Sequence, residues 1–455
     1  MEEENSGMEV VDFEPMDADE DLEADNNDDA DSGTGGDQEE TDDVYIPGQK
    51  LDEDEELECD ESAYVMLHQA HTGAPCLSFD IIPDDLGDAR ESFPMSCYMV
   101  CGTQAARAHV NSLIVMKMSN LHRTSKEQDS DMESDLSDSD EEEDDEKKPK
   151  MACALIKHQG CVNRVRSTRF NNTTFAASWS ELGRVHIYNL NDQLQAVDDK
   201  NALKAYEMGH GSDLTKPTFS FSGHQQEGFA LDWCQTMPGY LASGDCRKDI
   251  HIWKPHEDSW LVDQRPLQGH AASVEDLQWS PNERNVLASC SVDKSIRIWD
   301  IRANPSKACM LTCDNAHESD VNVISWNRNE PFIASGGDDG VLNIWDLRQF
   351  QNKTPIATFK HHTNHITTVE WHPKDSTVLA SGGDDDQIAL WDLSLERDES
   401  ADDQKNEKLR NLPPQLLFIH QGQKEIKELH WHPQLPGVIL STAHTGFNIF
   451  RTISV

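Results

Sequence analysis

Four tryptophans constrain this chain more than anything else in it. Trp253, Trp299, Trp345 and Trp391 stand at a constant interval of 46 residues. Each closes a unit that opens near a histidine and carries a second tryptophan in its middle. Gly269-His270, Trp279 and Trp299-Asp300 make one unit. His317, Trp326 and Trp345-Asp346 make the next, and His362, Trp371 and Trp391-Asp392 the one after. Upstream, Gly223-His224, Trp233 and Trp253-Lys254 fit the same template, and in all four the histidine precedes the middle tryptophan by nine. A chain that repeats itself at such a period builds one supersecondary unit several times over.

The unit from Val274 to Asp300 reads as β structure. Val274 to Trp279 alternates apolar and polar, as a half-buried strand does. Ser280-Pro-Asn-Glu-Arg284 is turn chemistry, Val286 to Cys290 is a short apolar strand, Asp293-Lys294 turns the chain, and Ser295 to Trp299 alternates again. One such sheet cannot bury both faces; stacking on its neighbours does. With its Gly-His opening and Trp-Asp close, the unit resembles the WD repeat, one four-stranded blade of a β-propeller. The resemblance implies a buried polar network in each blade. Here it would be His270, Ser289, Asp293 and Trp299; then His317, Ser335, Asp339 and Trp345; then His362, Ser381, Asp385 and Trp391. These residues look catalytic by type, but a set that satisfies its own hydrogen bonds is structural. The unit closing at Trp253 has Arg247 where the turn aspartate belongs, which predicts a looser turn.

The formal net charge of -47 is unevenly spread. Residues 1–61 hold 28 acidic residues and one basic one, Lys50, and residues 127–146 hold 13 acidic residues and no basic one. What remains has the charge of an ordinary globular domain. Such acidic runs carry too little apolar content to offset the entropy of ordering, so they are expected to be disordered. Met1 is followed by three glutamates rather than a secretory signal, no apolar run is long enough to span a membrane, and the eleven cysteines form no CxxC pair. Reduced thiols inside a cell are the expected case.

In chain order, residues 1–56 are the acidic tail, with an apolar island at Val44-Tyr45-Ile46-Pro47. Tyr64, Val65, Leu67 and Ala70 suggest a short helix within 57–72. The propeller then occupies 73–455. Its first blade runs from Cys76, with an acidic insertion at about 119–149. A second unit opens at His158 and has Tyr188 in place of the closing tryptophan. Four strong units follow, and a last one runs from Ile426 to Phe450, with an acidic loop at 394–415 between the sixth and seventh. The fold class is therefore all-β: a seven-bladed WD40 propeller with a short N-terminal helix and acidic disordered segments. The last unit has three clear strands; its outer strand comes from the N-terminal side or is missing.

The expected helix before blade one, the Leu77-Ser-Phe-Asp80 strand, and an acidic loop ending in Pro413-Pro-Gln-Leu-Leu-Phe-Ile-His420 resemble the histone-binding branch of WD proteins. Within that branch the chain is most similar to the glutamate-rich WD-repeat family, through Val44-Tyr-Ile-Pro-Gly48, Val115-Met-Lys-Met118, Leu429-His-Trp-His-Pro433, Ser441-Thr-Ala443 and the ending Gly446 to Val455. The resemblance implies a nucleolar, nuclear, non-catalytic chaperone or assembly factor. Its partners would be a basic large-subunit ribosomal protein, pre-ribosomal particles and core histones. It also implies a groove for a basic amphipathic helix, with Leu67 on the apolar floor, Asp398, Glu399, Asp402 and Asp403 on the acidic rim, and Pro413 and Pro414 closing the loop. The concentrated negative charge argues against direct binding of nucleic acid.

Ser130, Ser134, Ser137 and Ser139 sit among acidic residues, a context that acidophilic kinases favour. Lys147-Lys-Pro-Lys150 has the composition of a nuclear import signal or of a solvated blade edge. Trp299-Asp-Ile-Arg302 and Trp345-Asp-Leu-Arg348 match the WDxR pattern of propellers that dock on the adaptor of a cullin-RING ubiquitin ligase. In that alternative, Arg302 and Arg348 would contact the adaptor and the chain would be a substrate receptor. No nucleotide-binding, zincin or nucleophile-elbow motif is present, so no enzyme and no cofactor is expected. His361, His362 and His365 lack an acidic or cysteine partner at ligand spacing. A monomer is expected.

Overall fold

The computed structural model describes residues 59–124, 148–209, 216–396 and 412–455. They form seven four-stranded antiparallel sheets, each paired in simple up-and-down order. Six are built from strands consecutive in sequence. The seventh takes its outer strand, Tyr64–Ala70, from the other end of the chain, where it pairs with Gly446–Thr452. The ring is thereby closed by hydrogen bonds from Tyr64↔Thr452 to Ala70↔Phe447. Residues 1–58, where the acidic tail was expected, lie outside the described residues.

The helix expected within 57–72 is corrected by this strand. One 3-10 turn, Glu61–Ala63, capped by the Asp60 carboxylate, precedes it. The register shifts between Tyr64 and Met66, a bulge that lets Tyr64, Met66 and Leu67 all turn inward. That break in the two-residue alternation, with Ala70 buried three residues on, imitates the spacing of a helix face.

A second correction concerns the loop at 394–415. It connects the third strand of blade 6, Ile388–Asp392, to its outer strand, Leu416–His420, and so lies within that blade. The sequence unit, from one opening histidine to the next, is offset by one strand from the structural blade. The insertion after Leu121 is of the same kind. It joins the third and outer strands of blade 1, which pair from Ser112↔Lys157 to Ser119↔Lys150.

Each blade network has the expected form. In blade 4, Trp299 Nε1–H donates to Ser289 Oγ at 2.8 Å. Ser289 Oγ is 2.6 Å from His270 Nε2, and His270 Nδ1 is 2.9 Å from the Asp293 carboxylate. One tautomer satisfies the whole chain: indole to hydroxyl, hydroxyl to Nε2, Nδ1–H to carboxylate. Ser335, His317, Asp339 and Trp345 repeat it in blade 5, and Ser381, His362, Asp385 and Trp391 in blade 6. The opening glycine has a packing reason, since a Cβ on Gly269 would lie 2.7 Å from the Trp299 ring.

The looser turn expected at Arg247 is absent. Asp245, two residues earlier, bonds His224 Nδ1 at 2.8 Å, and its other oxygen accepts the Arg247 and Asp249 N–H groups at 3.0 and 2.9 Å. Two helices went unread. Asn191–Asp198 and Lys200–Met208 are inserted between the third and outer strands of blade 2. They pack Ala196 and Val197 against Ala154 of blade 1, and Tyr206 donates to the Leu155 carbonyl. Asp199, which caps the second helix, was their one local signal.

Candidate partner-binding surface

The N-terminal strand is the point where the long acidic stretches join the body. The described chain begins at Cys59, five residues before Tyr64. The insertion of blade 1 departs from Thr124, whose N–H donates to the Val65 carbonyl and whose hydroxyl accepts the Leu67 N–H at 2.7 Å. Residues 1–58, with 26 acidic residues and one basic, and 125–147, with 13 acidic and two basic, are thus tethered to one outer strand of blade 7.

The Pro413-Pro414 turn lies beside that strand. Pro413 O accepts the Leu416 N–H at 3.1 Å, and both prolines are half-buried. Two residues beyond Leu416, the Phe418 ring meets Tyr64 edge-on, with centroids 5.4 Å apart. The Tyr64 phenol is 2.8 Å from His420 Nδ1, the Asn448 amide donates to His420 Nε2, and the His420 ring stacks on Phe450. These contacts stitch the outer strand of blade 6 to that of blade 7. Burial pushes His420 down to about 3, so it is neutral in the fold.

Leu67 is not on a groove floor. It is 6% exposed and sits in the blade 7 core with Leu429 and Phe450. The half-buried apolar residues against that core are Ala63, Leu417, Phe418 and Val455, and none had been singled out from the sequence as site residues. Asp398, Glu399, Asp402 and Asp403 lie outside the described residues, as do Ser130, Ser134, Ser137 and Ser139. Residues 397–411 carry five acidic and four basic side chains, so most of the negative charge comes from the two longer stretches.

Arg302 and Arg348 are 69% and 63% exposed. Each folds back on the aspartate of its own Trp-Asp pair, Asp300 at 2.5 Å and Asp346 at 2.8 Å. A partner would have to share guanidinium groups that are already engaged. His362 belongs to its blade network, His361 pairs with Gln387, and His365 lies 3.4 Å from Asp338. Among the described residues, no group of three or more His, Cys, Asp or Glu is placed to hold a metal ion.

The centre of the ring holds a polar site that sequence reading missed. Each middle tryptophan ends an innermost strand and reaches back to the preceding blade. Trp279 Nε1–H donates to the Asp232 carbonyl and Trp371 Nε1–H to that of Ser325, both at 3.0 Å; Trp431 reaches the Glu370 carbonyl at 3.2 Å. The side chains of Asp232, Ser325 and Glu370 accept the backbone N–H of the same tryptophans. Across the channel, Glu428 of blade 7 receives Arg164 at 2.6 Å and Arg166 at 2.7 Å, both from blade 2, and also accepts the Phe79 N–H of blade 1. Burial alone would raise the Glu428 carboxyl, but the two guanidinium groups hold it well below its usual range. Burial would likewise lower His430; Glu370 and Glu428 instead hold it up to about 10.

A histidine raised in the fold stabilises it fully below its unfolded value near 6.5. That contribution fades as the pH rises toward 10. The stability difference between the wild type and His430→Gln is expected to be largest below pH 6.5 and to vanish near pH 10. Urea midpoints measured across that range check it, and a difference that grows with pH would contradict the assignment.

Comparison with known proteins places this architecture. Residues 54–122 match the family described as the histone-binding protein RBBP4 or its counterpart in the CAF1 complex. Residues 262–300, 307–346 and 353–392 match the WD domain, G-beta repeat. Protein HEAT STRESS TOLERANT DWD 1 of Arabidopsis thaliana is 44% identical over 454 residues, covering 90% of this chain and 92% of that protein. Ribosome assembly protein rrb1 of Schizosaccharomyces pombe is 41% identical, covering 94% and 89%. Glutamate-rich WD repeat-containing protein 1 of Dictyostelium discoideum is 44% identical, covering 88% and 83%.

Proposed function

Because this chain belongs to the glutamate-rich WD-repeat family, we propose that it is a chaperone and assembly factor for a basic large-subunit ribosomal protein, working in the nucleus and nucleolus on pre-ribosomal particles. Core histones are a second class of client. The observation that carries the reading is the tethering of both strongly acidic stretches to one strand of blade 7, beside the Pro413-Pro414 turn. A newly made ribosomal protein or histone presents dense Lys and Arg surface that binds RNA or DNA unspecifically. Two polyanionic segments on one edge can cover such a surface, at low specificity and with strong salt dependence. The half-buried apolar residues Leu417 and Phe418 next to them supply shape. The rrb1 relative, a ribosome assembly protein by name, supports the ribosomal client, and the match to a histone-binding family supports the histones.

Light scattering tests the chaperone activity. Mixing large-subunit ribosomal proteins with ribosomal RNA fragments precipitates them. The full chain at equimolar amount is expected to suppress the scattering, and a chain lacking 1–56 and 127–146 to suppress it much less. Equal precipitation with and without the full chain would end the proposal. The ligase-receptor alternative makes a different demand. Replacing Arg302 and Arg348 together by Ala is expected to leave client binding unchanged in a pull-down; loss of a ligase adaptor from the same pull-down would support the alternative.

A further inference from the structure

We propose that the apolar island Val44-Tyr45-Ile46-Pro47 docks in cis into a groove between blades 5 and 6. The groove, of about 460 Å³, is lined by Phe332, Ile356, Ala357, Phe359, Leu393 and Gln415, with Glu330, Ser376 and Thr377 on its polar margin. Two large apolar side chains stand open there: Ile356 is 49% exposed, and Leu395, whose carbonyl accepts from the Gln415 amide, is 38% exposed. Isolated exposed apolar residues need no explanation, but a concave apolar site with a few polar groups at its edge is the form of a peptide pocket.

The point where the described chain begins selects the occupant. Tyr64 touches Phe418, and Gln415 of the groove is three residues before Phe418, roughly 10 Å of strand. The 18 residues from Ile46 to Tyr64 span at most roughly 60 Å, and about 25 Å on average as a flexible coil. A tether of that reach gives the island an effective concentration in the mM range, so a contact of about mM affinity is well populated. Charge agrees as well. Asp42 and Asp43 immediately precede the island, and the Arg348 guanidinium lies over the Phe332 ring of the groove at 5.8 Å. The Tyr45 hydroxyl would find acceptors in Glu330, Ser376 and Thr377. This docking does not depend on which client the protein carries.

Photo-crosslinking of the full chain tests it. With p-benzoylphenylalanine in place of Tyr45, irradiation is expected to give intramolecular adducts on the peptides around Phe332, Ile356 and Leu393, at a yield independent of protein concentration. Ile356→Asp, which puts a charge into the groove at an exposed position, is expected to cut that yield on the order of tenfold. Circular dichroism checks that the variant is folded. The same probe at Phe13 serves as the background of a freely moving tail. Adducts elsewhere, a pattern like that of the Phe13 probe, yields that rise with concentration, or indifference to Ile356→Asp would each overturn the proposal.

Discussion

Glu428→Ala is expected to destabilise the propeller by about 3–5 kcal/mol. The Glu428 side chain is 2% exposed and is the shared counter-ion of Arg164 and Arg166, themselves only 14% and 17% exposed. Removing it leaves two guanidinium groups in a site that water reaches poorly. It also orphans the Phe79 N–H at the junction of blades 7 and 1, where the ring closes. The penalty is larger than the worth of the pair, because an unpaired buried charge costs more than the pair gains. Glu428→Gln separates the parts: its amide oxygen can still accept from Phe79 while the charge is gone, so an intermediate loss is expected. Urea denaturation of the three proteins reads this directly. An Ala variant within about 0.5 kcal/mol of wild type, the range of ordinary surface changes, would mean that the cross-channel pair is not formed in solution.

Trp345→Ala is expected to cost a similar amount, about 3–5 kcal/mol, through a different mechanism. Trp345 is buried between the sheets of blades 4 and 5, packed with Ile298, Ile324 and Phe350. Its indole also satisfies Ser335, which holds His317 in turn. Truncation opens a cavity and removes the first donor of the blade network. An unchanged urea midpoint would contradict the assignment of the tryptophan to the blade core.

These two residues also mark what could and could not be read in advance. Trp345 was legible because the residues that repeat at a 46-residue interval are the same ones that hold each blade together. His270, Ser289 and Asp293 followed from it by position. Even the departure at Arg247 misled only because Asp245 reaches the same histidine from two residues away. Glu428 was illegible as a counter-ion. Its partners are 264 and 262 residues distant, and their meeting depends on where blades 2 and 7 fall around a closed ring. The N-terminal strand failed for a local reason: a bulge between Tyr64 and Met66 disturbed the alternation that announces a strand. Its partner, the open edge of Gly446–Thr452, lies at the other end of the chain. The site followed the same rule. The acidic stretches were plain in the composition, but their convergence on one strand needs Thr124 to lie beside Val65 and Leu67, which only the fold brings about.

Affinity capture from nuclear extract tests the central claim most directly. The baits are the full chain and one lacking 1–56 and 127–146, each washed at low and at high salt, with the retained proteins identified by mass spectrometry. The account predicts that one large-subunit ribosomal protein survives the high-salt wash on both baits, more weakly on the shortened one, while other basic proteins are lost from both. Loss of every basic protein together at high salt would contradict it, since the binding would then be polyanion electrostatics without a shaped site.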